Sequence, residues 1–381
     1  MPDITKKKEI TNFRELINGV DNKMVKLFEE RLLLAKEIVD YKKAHNLAIQ
    51  DTDRESEVVE NATAAVDDDM RAEVTLLMRS IISLSREYQR SLSFASAEPD
   101  FLPPPVPHKT ESVRICYQGV PGAWGELAAR KLFPETGAEI TNADYFESVF
   151  RKVKDGAADY GVLPIENSKT GAIGETYDLL RRLGCYIVGR TWIDVKHCLL
   201  AKPGAALKDI REIYSHPQGF QQCRHFLEDK PWDQIASSNT AVAASKASKA
   251  DGLRAAAIGS AQAAEHNGLV VLAPNIMDSD TNRTSFVVIA AQPEYDAASD
   301  LISISFTAAH RSGSLCEALL PFMASDVNLT RIESRPSSSA SSYRFFAEIS
   351  GNIGDPIVKE TLTHAAAATD YLEVIGCYKQ V

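Results

Sequence analysis

Three cations, Arg14, Arg31 and Lys42, lie on one predicted helix and could bind an anion. Arg31 stands in a seam of apolar residues that recur every three or four positions, and a cation there is unfavourable unless an anion meets it. Lys42 follows eleven residues later and, at about 100° per residue, returns to within about 20° of Arg31 around the helix. Arg14 lies about 100° away from Arg31, so it faces a different side. The alternative for Arg31 is a side chain that extends to solvent or pairs with Glu30.

The segment that carries these cations, about residues 9–43, contains no proline and predicts a single helix about 50 Å long. A hundred-residue domain cannot cover a helix of that length alone. We therefore expect a second copy of the chain to bury the remainder, with Arg14 serving the partner's pocket. The protein is predicted to be a homo-oligomer, at least a dimer.

Two more helices are predicted to complete this domain, which spans residues 1–97. The second opens at Asp51–Glu55, and the third, over about residues 69–93, places Ser85 and Gln89 on one face. Thr52 and Glu55 also fit a capping box, which is the purely structural role for Glu55. Cations, a carboxylate, a hydroxyl and an amide are thus expected to converge between the helices.

This segment resembles the all-helical chorismate mutases, which are intertwined dimers. The matching positions are Arg14, Arg31, Lys42, Asp51, Arg54, Glu55, Ser85 and Gln89. The resemblance implies that chorismate, a dianion, is rearranged to prephenate without metal or cofactor. The substrate would be bound by Arg14, Arg31, Arg54, Asp51 and Ser85. Lys42 and Gln89 would stabilise the charge on the breaking ether oxygen, and Glu55 would orient the substrate hydroxyl.

A stiff proline-rich linker at residues 98–111 precedes a change of pattern. Over residues 112–291, short β-rich runs alternate with helical segments, which is typical of an α/β domain. Ligands of such domains bind where strands end and helices begin, and polar clusters fall at those points. The clusters are Gly119–Gly122, Pro164–Ser168, Ser215–Gln222 and Ser238–Thr240. Each cluster taken alone is also typical of an ordinary turn or helix cap.

The clusters that begin at Gly119, Pro164 and Ser215, followed by an Asn-x-Thr-x-Phe run at Asn282–Phe286, together resemble the prephenate dehydratases. The resemblance implies two α/β lobes, as in a periplasmic binding protein, with a cleft where prephenate loses carbon dioxide and water to give phenylpyruvate. Thr284 falls on the threonine of the family's Thr-Arg-Phe motif and would donate to the departing hydroxyl. Side chains expected to bind prephenate are Glu166, Asn167, Ser168, Ser215, Gln222 and Arg283.

The sequence departs from that motif, since Ser285 stands where the family has arginine and Arg283 precedes the threonine. Adjacent side chains of a strand face opposite ways, so Arg283 and Thr284 cannot both point into the cleft. The group that binds the carboxylates of prephenate is therefore open. Two alternatives follow: a domain that acts on arogenate, and a catalytically silent sensor of prephenate or phenylalanine.

The tail, residues 299–381, has a predicted βαββαβ order, which is that of a ferredoxin-like domain. It resembles the ACT domains attached to prephenate dehydratases, through Gly313-Ser314-Leu315 and Glu333-Ser334-Arg335-Pro336. The resemblance implies that L-phenylalanine binds between two such domains and inhibits the dehydratase. A module used only for dimerisation is the alternative. We expect removal of the tail after Pro293 to spare catalysis and to abolish inhibition by phenylalanine.

Composition narrows the class of protein further. A net charge of −10 argues against a nucleic-acid partner, and no apolar run has the length of a membrane span or of a signal peptide. The six cysteines are scattered without metal-binding spacing, so we interpret them as reduced thiols of a cytoplasmic protein. We expect partners to be small molecules and further copies of the chain, with no metal or cofactor.

Overall fold

The structure is a computed structural model that describes residues 4–45, 52–94, 100–134, 137–336 and 343–380. It consists of two compact units. The first comprises Met1–Pro99, Ala308–Ser325 and Glu360–Tyr371, and the second comprises Asp100–Thr307, Asp326–Lys359 and Leu372–Val381. The predicted tail is thus divided between the units.

The N-terminal part of the first unit is helical. Its helices are α1 (Ile4–Ala44), α2 (Thr52–Ala64) and α3 (Arg71–Phe94), with a short 3-10 turn at Asp68–Met70. Both α1 and α2 pack against α3. Much of the apolar seam of α1 remains exposed in the single chain, for example Phe13 at 64% and Ile17 at 58%. The 41-residue α1 therefore presents a long apolar face that its own chain does not cover.

The second unit contains fifteen strands and seven helices within the described residues. The strands are β1 (Arg114–Gln118), β2 (Glu139–Ala143), β3 (Tyr160–Asn167), β4 (Gly171–Ala172), β5 (Tyr186–Asp194), β6 (Cys198–Ala201), β7 (Glu212–Ser215), β8 (Asp233–Ala236), β9 (Ala255–Gly259), β10 (Val270–Ala273), β11 (Arg283–Ala290), β12 (Leu301–Thr307), β13 (Leu329–Pro336), β14 (Tyr343–Ser350) and β15 (Tyr371–Tyr378). The helices are α4 (Trp124–Leu132), α5 (Phe146–Lys154), α6 (Gly174–Leu183), α7 (Pro217–Gln222), α8 (Arg224–Leu227), α9 (Thr240–Lys249) and α10 (Ala261–His266).

These elements form two lobes around two sheets. The first lobe is built on β5-β11-β3-β1-β2, and the second on β10-β6-β9-β7-β8. The chain passes between the lobes after β5 and again before β11. In the second lobe the alanines of α9 lie over β9, whose five residues are all buried. Small side chains on both elements allow this close helix–sheet contact, which brings the start of α9 to the edge of the cleft between the lobes.

The tail strands extend the sheet of the first lobe in the order β13-β14-β12-β15-β5. β14 is antiparallel to β12 and β13, while β15 runs parallel to β5 through the pair Gly376 and Ile187. A Cβ atom on Gly376 would lie 2.2 Å from the carbonyl oxygen of Ile187, so only glycine fits there. Two helices, α11 (Ser314–Ala324) and α12 (Pro356–Ala367), complete the βαββαβ order expected of the tail. Among the helices described, none has the length and apolar character to span a bilayer.

Candidate active sites

The contact between α1 and α3 brings Arg31 and Ser85 together. Arg31 Nη1 donates to Ser85 Oγ and lies 3.5 Å from the carbonyl oxygen of Ile81. Gln89 Nε2, one turn further along α3, donates to the carbonyl oxygen of Ala35 at 3.4 Å. The Arg31 side chain is half-buried, and this burial lowers the pKa of its guanidinium. Within the described residues no carboxylate pairs with Arg31, so its charge is available to an anionic ligand.

The other predicted residues of this site are more dispersed. Arg86 Nη1 lies 3.5 Å from the Glu55 carboxylate, and Arg86 Nη2 lies 2.6 Å from that of Glu317 on α11. Arg54 forms an exposed ion pair with Glu57 at 2.7 Å. Lys42 is half-buried near the end of α1, Arg14 is exposed on α1, and Asp51 lies outside the described residues.

A cleft of about 480 Å³ lies between the two lobes of the second unit. From the first lobe and its crossovers it is lined by Gln118, Gly119, Ala123, Trp124, Gly125, Phe146, Pro164, Asn167, Thr170, Ile173, Val195, Asn282, Thr284 and Phe286. From the second it is lined by His197, His216, Gln218, Gly219, Gln222, Ser238, Asn239 and Thr240. None of the described residues that line it is lysine or arginine.

Thr284 and Asn167 are opposite each other on β11 and β3 and anchor the hydrogen bonds of this cleft. The Oδ1 atom of Asn167 accepts from the backbone N–H groups of Lys169 at 2.9 Å and Thr170 at 3.2 Å. These two donors orient the amide, so its Nδ2 donates to Thr284 Oγ1 at 2.9 Å. Because Thr284 Oγ1 accepts this bond, its own O–H hydrogen remains to be donated toward the cleft.

The same amide orders a second chain of hydrogen bonds. Asn167 Nδ2 donates to Asn282 Oδ1 at 2.9 Å, and Asn282 Nδ2 donates to Gln222 Oε1 at 3.0 Å. Gln222 Oε1 therefore acts as an acceptor, and His197 Nε2 donates to it at 2.8 Å. Burial lowers the pKa of His197, which keeps the imidazole neutral. Its Nδ1 atom is buried and has no hydrogen-bond partner in the described part of the chain.

Four of the side chains predicted to bind prephenate do not line the cleft. The Glu166 carboxylate points to the opposite face of the sheet, where it meets Arg190 and Arg331. Ser168 Oγ closes a turn by donating to the carbonyl oxygen of Thr281 at 3.0 Å. Ser215 is fully buried beneath the start of α7. Arg283 is exposed and forms an ion pair with Asp194 at 2.9 Å.

Two residues of the network had no assigned role from the sequence. His197 lies in the crossover after β5, and no motif surrounds it that would distinguish it from a buried structural histidine. Asn282 precedes Arg283 in the Asn-x-Thr-x-Phe run, so its position gave a signal, but its amide orientation depends on Asn167, which comes from another strand.

A helical pocket with a partly buried cation and a two-lobed cleft with an ordered hydroxyl are the features expected of an enzyme with two active sites on one chain. Residues 13–90 match the chorismate mutase type II family, and residues 115–294 match the prephenate dehydratase family. The chain is 30% identical over 374 residues to a bifunctional chorismate mutase/prephenate dehydratase of Enterobacter agglomerans, covering 96% of this chain and 94% of that protein. The chain therefore belongs to the bifunctional chorismate mutase/prephenate dehydratase family. It is an isomerase and a lyase of phenylalanine biosynthesis.

Two more relatives bear on the dehydratase part. An arogenate dehydratase/prephenate dehydratase of Arabidopsis thaliana is 35% identical over 283 residues, covering 70% of this chain and 72% of that protein. The prephenate dehydratase of Arthrobacter aurescens, solved in complex with L-Phe, superposes with a TM-score of 0.64 at 27% identity, covering 70% of this chain and 89% of that chain.

Proposed function

We propose that the mutase pocket binds the chorismate dianion between α1 and α3 and is completed by Arg14 of a second copy. The observation that carries this proposal is the Arg31 guanidinium, which is partly buried, donates to Ser85, and lacks a carboxylate partner among the described residues. Arg31 and Arg54 would bind the substrate carboxylates, with Ser85 and Asp51 beside them. Lys42 and Gln89 would stabilise the ether oxygen, and Glu55 would orient the hydroxyl.

The exposed apolar face of α1 supports a dimer. Burying a large apolar side chain typically stabilises by about 1.5–3 kcal/mol. Exposed members of the face are Ile10, Phe13, Ile17, Val20, Met24, Leu27, Leu34 and Ile38. A second α1 laid along this face would cover it and would bring its Arg14, which the single chain leaves exposed, to the other pocket.

In the cleft, Thr284 is proposed to pass a proton to the hydroxyl of prephenate as its C–O bond breaks, so that the group leaves as water and Thr284 regains its proton from solvent. The ring carboxylate leaves as carbon dioxide, and the electrons of its broken bond complete the aromatic ring of phenylpyruvate. The anchored amide of Asn167 supports this role. It donates to Thr284 Oγ1, so the hydroxyl hydrogen of Thr284 remains for the substrate. Gln222, Asn282 and His197 would hold that amide network in place.

The carboxylates of prephenate are proposed to bind at helix N-termini rather than at a cation. The cleft lining includes the first residues of α4 and α9, and the first N–H groups of a helix have no acceptor within the helix. This replaces the expected contacts with Glu166, Ser168, Ser215 and Arg283, whose side chains are engaged elsewhere or buried.

The tail is proposed to be an ACT domain that binds L-phenylalanine. Gly313 adopts a left-handed conformation, with φ of +83°, directly before α11, where Ser314 and Leu315 follow. Glu333, Ser334, Arg335 and Pro336 end β13. The L-Phe complex of the Arthrobacter relative supports the effector. We also propose a cytoplasmic location, supported by the six free cysteines.

Product analysis with purified full-length protein tests the function. Chorismate and prephenate should both give phenylpyruvate, and arogenate should give little phenylalanine. Product from arogenate alone would replace prephenate as the substrate. Protein that consumes chorismate but converts neither prephenate nor arogenate would be a mutase fused to a sensor, and the dehydratase proposal would be wrong.

A further inference from the structure

The faces of β3 and β11 that point away from the cleft carry a second pair of opposed residues. Thr284 is opposite Asn167, and one step further Ser285 is opposite Glu166. Because side chains alternate along a strand, the first pair faces the cleft and the second faces the other side of the sheet. Ser285 is fully buried there.

Arg190, on the adjacent strand β5, joins this second pair. Its Nε donates to Ser285 Oγ at 2.7 Å, and its Nη2 lies 3.3 Å from the Glu166 carboxylate. One guanidinium thus holds both catalytic strands at the positions next to Thr284 and Asn167. It also supplies a guanidinium beside Ser285, the position at which this sequence lacks the arginine of the Thr-Arg-Phe motif.

Arg190 is tied to the tail strands as well. Its Nη1 donates to the carboxylate of Glu348 on β14, and Arg331 on β13 lies 3.0 Å from the Glu166 carboxylate. Two cations and two carboxylates therefore form one balanced group. Arg190 and Glu348 are each only 5% exposed, so neither charge is stable there without its partner.

Glu348 is itself fixed within the tail. Tyr378 donates from its hydroxyl to the Glu348 carboxylate at 3.0 Å, and Ser303 Oγ lies 2.7 Å from the same hydroxyl. These contacts come from β15 and β12, so all four tail strands meet at this group. A shift of the tail sheet must therefore move Glu348 and, through it, Arg190.

We propose that Arg190 is a positioning residue for the dehydratase reaction and the link through which the tail acts on the cleft. This proposal rests on the proposed functions of the cleft and of the tail. Arg190 touches neither substrate nor Thr284. It sets the separation and twist of β3 and β11, and hence the Thr284–Asn167 hydrogen bond on their other face. Effector binding that displaces the tail sheet changes that bond without entering the cleft.

Steady-state kinetics of the full-length protein test this proposal. Arg190→Gln should lower the dehydratase kcat for prephenate about tenfold or more, with KM changed less than about threefold, because the carboxylate contacts are intact. Glu348→Gln should lower kcat less and should raise the L-phenylalanine concentration for half-inhibition about tenfold or more. The mutase reaction of the same samples reports folding. Glu373→Gln is the matched control, since Glu373 pairs at 3.4 Å with Arg344 in the same tail sheet.

Ser285→Ala removes one hydroxyl and keeps the ion pairs of Arg190. It should therefore lower kcat as Arg190→Gln does, but by a smaller factor. It decides the matter if Arg190→Gln does not fold. The proposal would be overturned if Arg190→Gln and Ser285→Ala both kept the kcat of the parent. It would also be overturned if L-phenylalanine inhibited Glu348→Gln and the parent equally. Parent protein that forms no phenylpyruvate would instead refute the function of the cleft, so the two failures are distinguishable.

Discussion

The two active sites solve different problems with different kinds of side chain. In the proposed mutase pocket the main group is a charge: Arg31 is partly buried between two helices, and much of the surrounding α1 surface is exposed. In the proposed dehydratase cleft the main feature is orientation: neutral amides and a hydroxyl are aligned by two backbone N–H groups. A pericyclic rearrangement of a dianion needs its carboxylates held and its charge balanced. A dehydration needs one donor aimed at one oxygen.

The largest expected effect is the loss of mutase activity in Arg31→Ala, by a factor on the order of 10³, because a charge-assisted donor to the dianion disappears. Chorismate consumption measures it, and phenylpyruvate formation from added prephenate should be unchanged. Arg71→Ala is the control, since Arg71 forms an exposed pair with Asp68 at 2.9 Å in the same helical region. Equal loss of both activities would show that the two sites are not independent.

In the cleft, Thr284→Val should lower the dehydratase kcat by a factor of about 10²–10³. Valine keeps the shape of threonine but cannot donate to the departing hydroxyl. Thr284→Ser retains the hydroxyl and should keep most of the activity. Stopped-time assays of phenylpyruvate measure both variants. A Thr284→Val enzyme as active as the serine variant would remove Thr284 from its proposed role.

Mixing inactive variants distinguishes a shared site from a self-contained one. Arg14→Ala and Arg31→Ala proteins, unfolded and refolded together, form heterodimers in which one pocket has both arginines. Random pairing should therefore restore about a quarter of the mutase activity. The same experiment with Thr284→Val and Asn167→Asp should restore no dehydratase activity, because both residues belong to one cleft. Absence of mutase recovery would mean that Arg14 and Arg31 of one chain serve the same pocket, and the shared site would be refuted.

The sequence predicted what depends on local periodicity. The long α1 and the βαββαβ order of the tail follow from spacing and the order of the predicted elements, whereas Thr284 was assigned through the resemblance to the prephenate dehydratase motif. The sequence could not predict features that depend on contacts between residues far apart in the chain. Glu166 follows a buried strand and resembles a cleft residue, but the faces of β3 are set by Arg190 and Arg331, which come from other strands.

The tail illustrates the same limit. Its predicted βαββαβ order indicates a separate domain, and its removal after Pro293 was expected to spare catalysis. The structure instead joins β15 to β5 in one continuous sheet and places Glu348 on Arg190. Removal of the tail would take the Glu348 carboxylate away from Arg190 and leave β5 without its neighbouring strand β15. The expectation is therefore revised: truncation should impair the dehydratase as well as its regulation.

The smallest expected effect concerns how the tail helix α12 is held in the first unit. His364 lies 3.2 Å from Glu87 on α3, and the hydrogen bond to Glu87 raises the pKa of His364. A histidine whose pKa is raised on folding stabilises the protein fully at pH values below its pKa in the unfolded chain, about 6.5. This stabilisation is lost as the pH rises through the pKa of the folded state. The partly exposed pair should contribute at most about 1 kcal/mol. Urea unfolding at pH 6 and pH 8 should show this loss in the parent and not in His364→Gln. An equal pH dependence in both would mean that the pair does not hold α12 to α3.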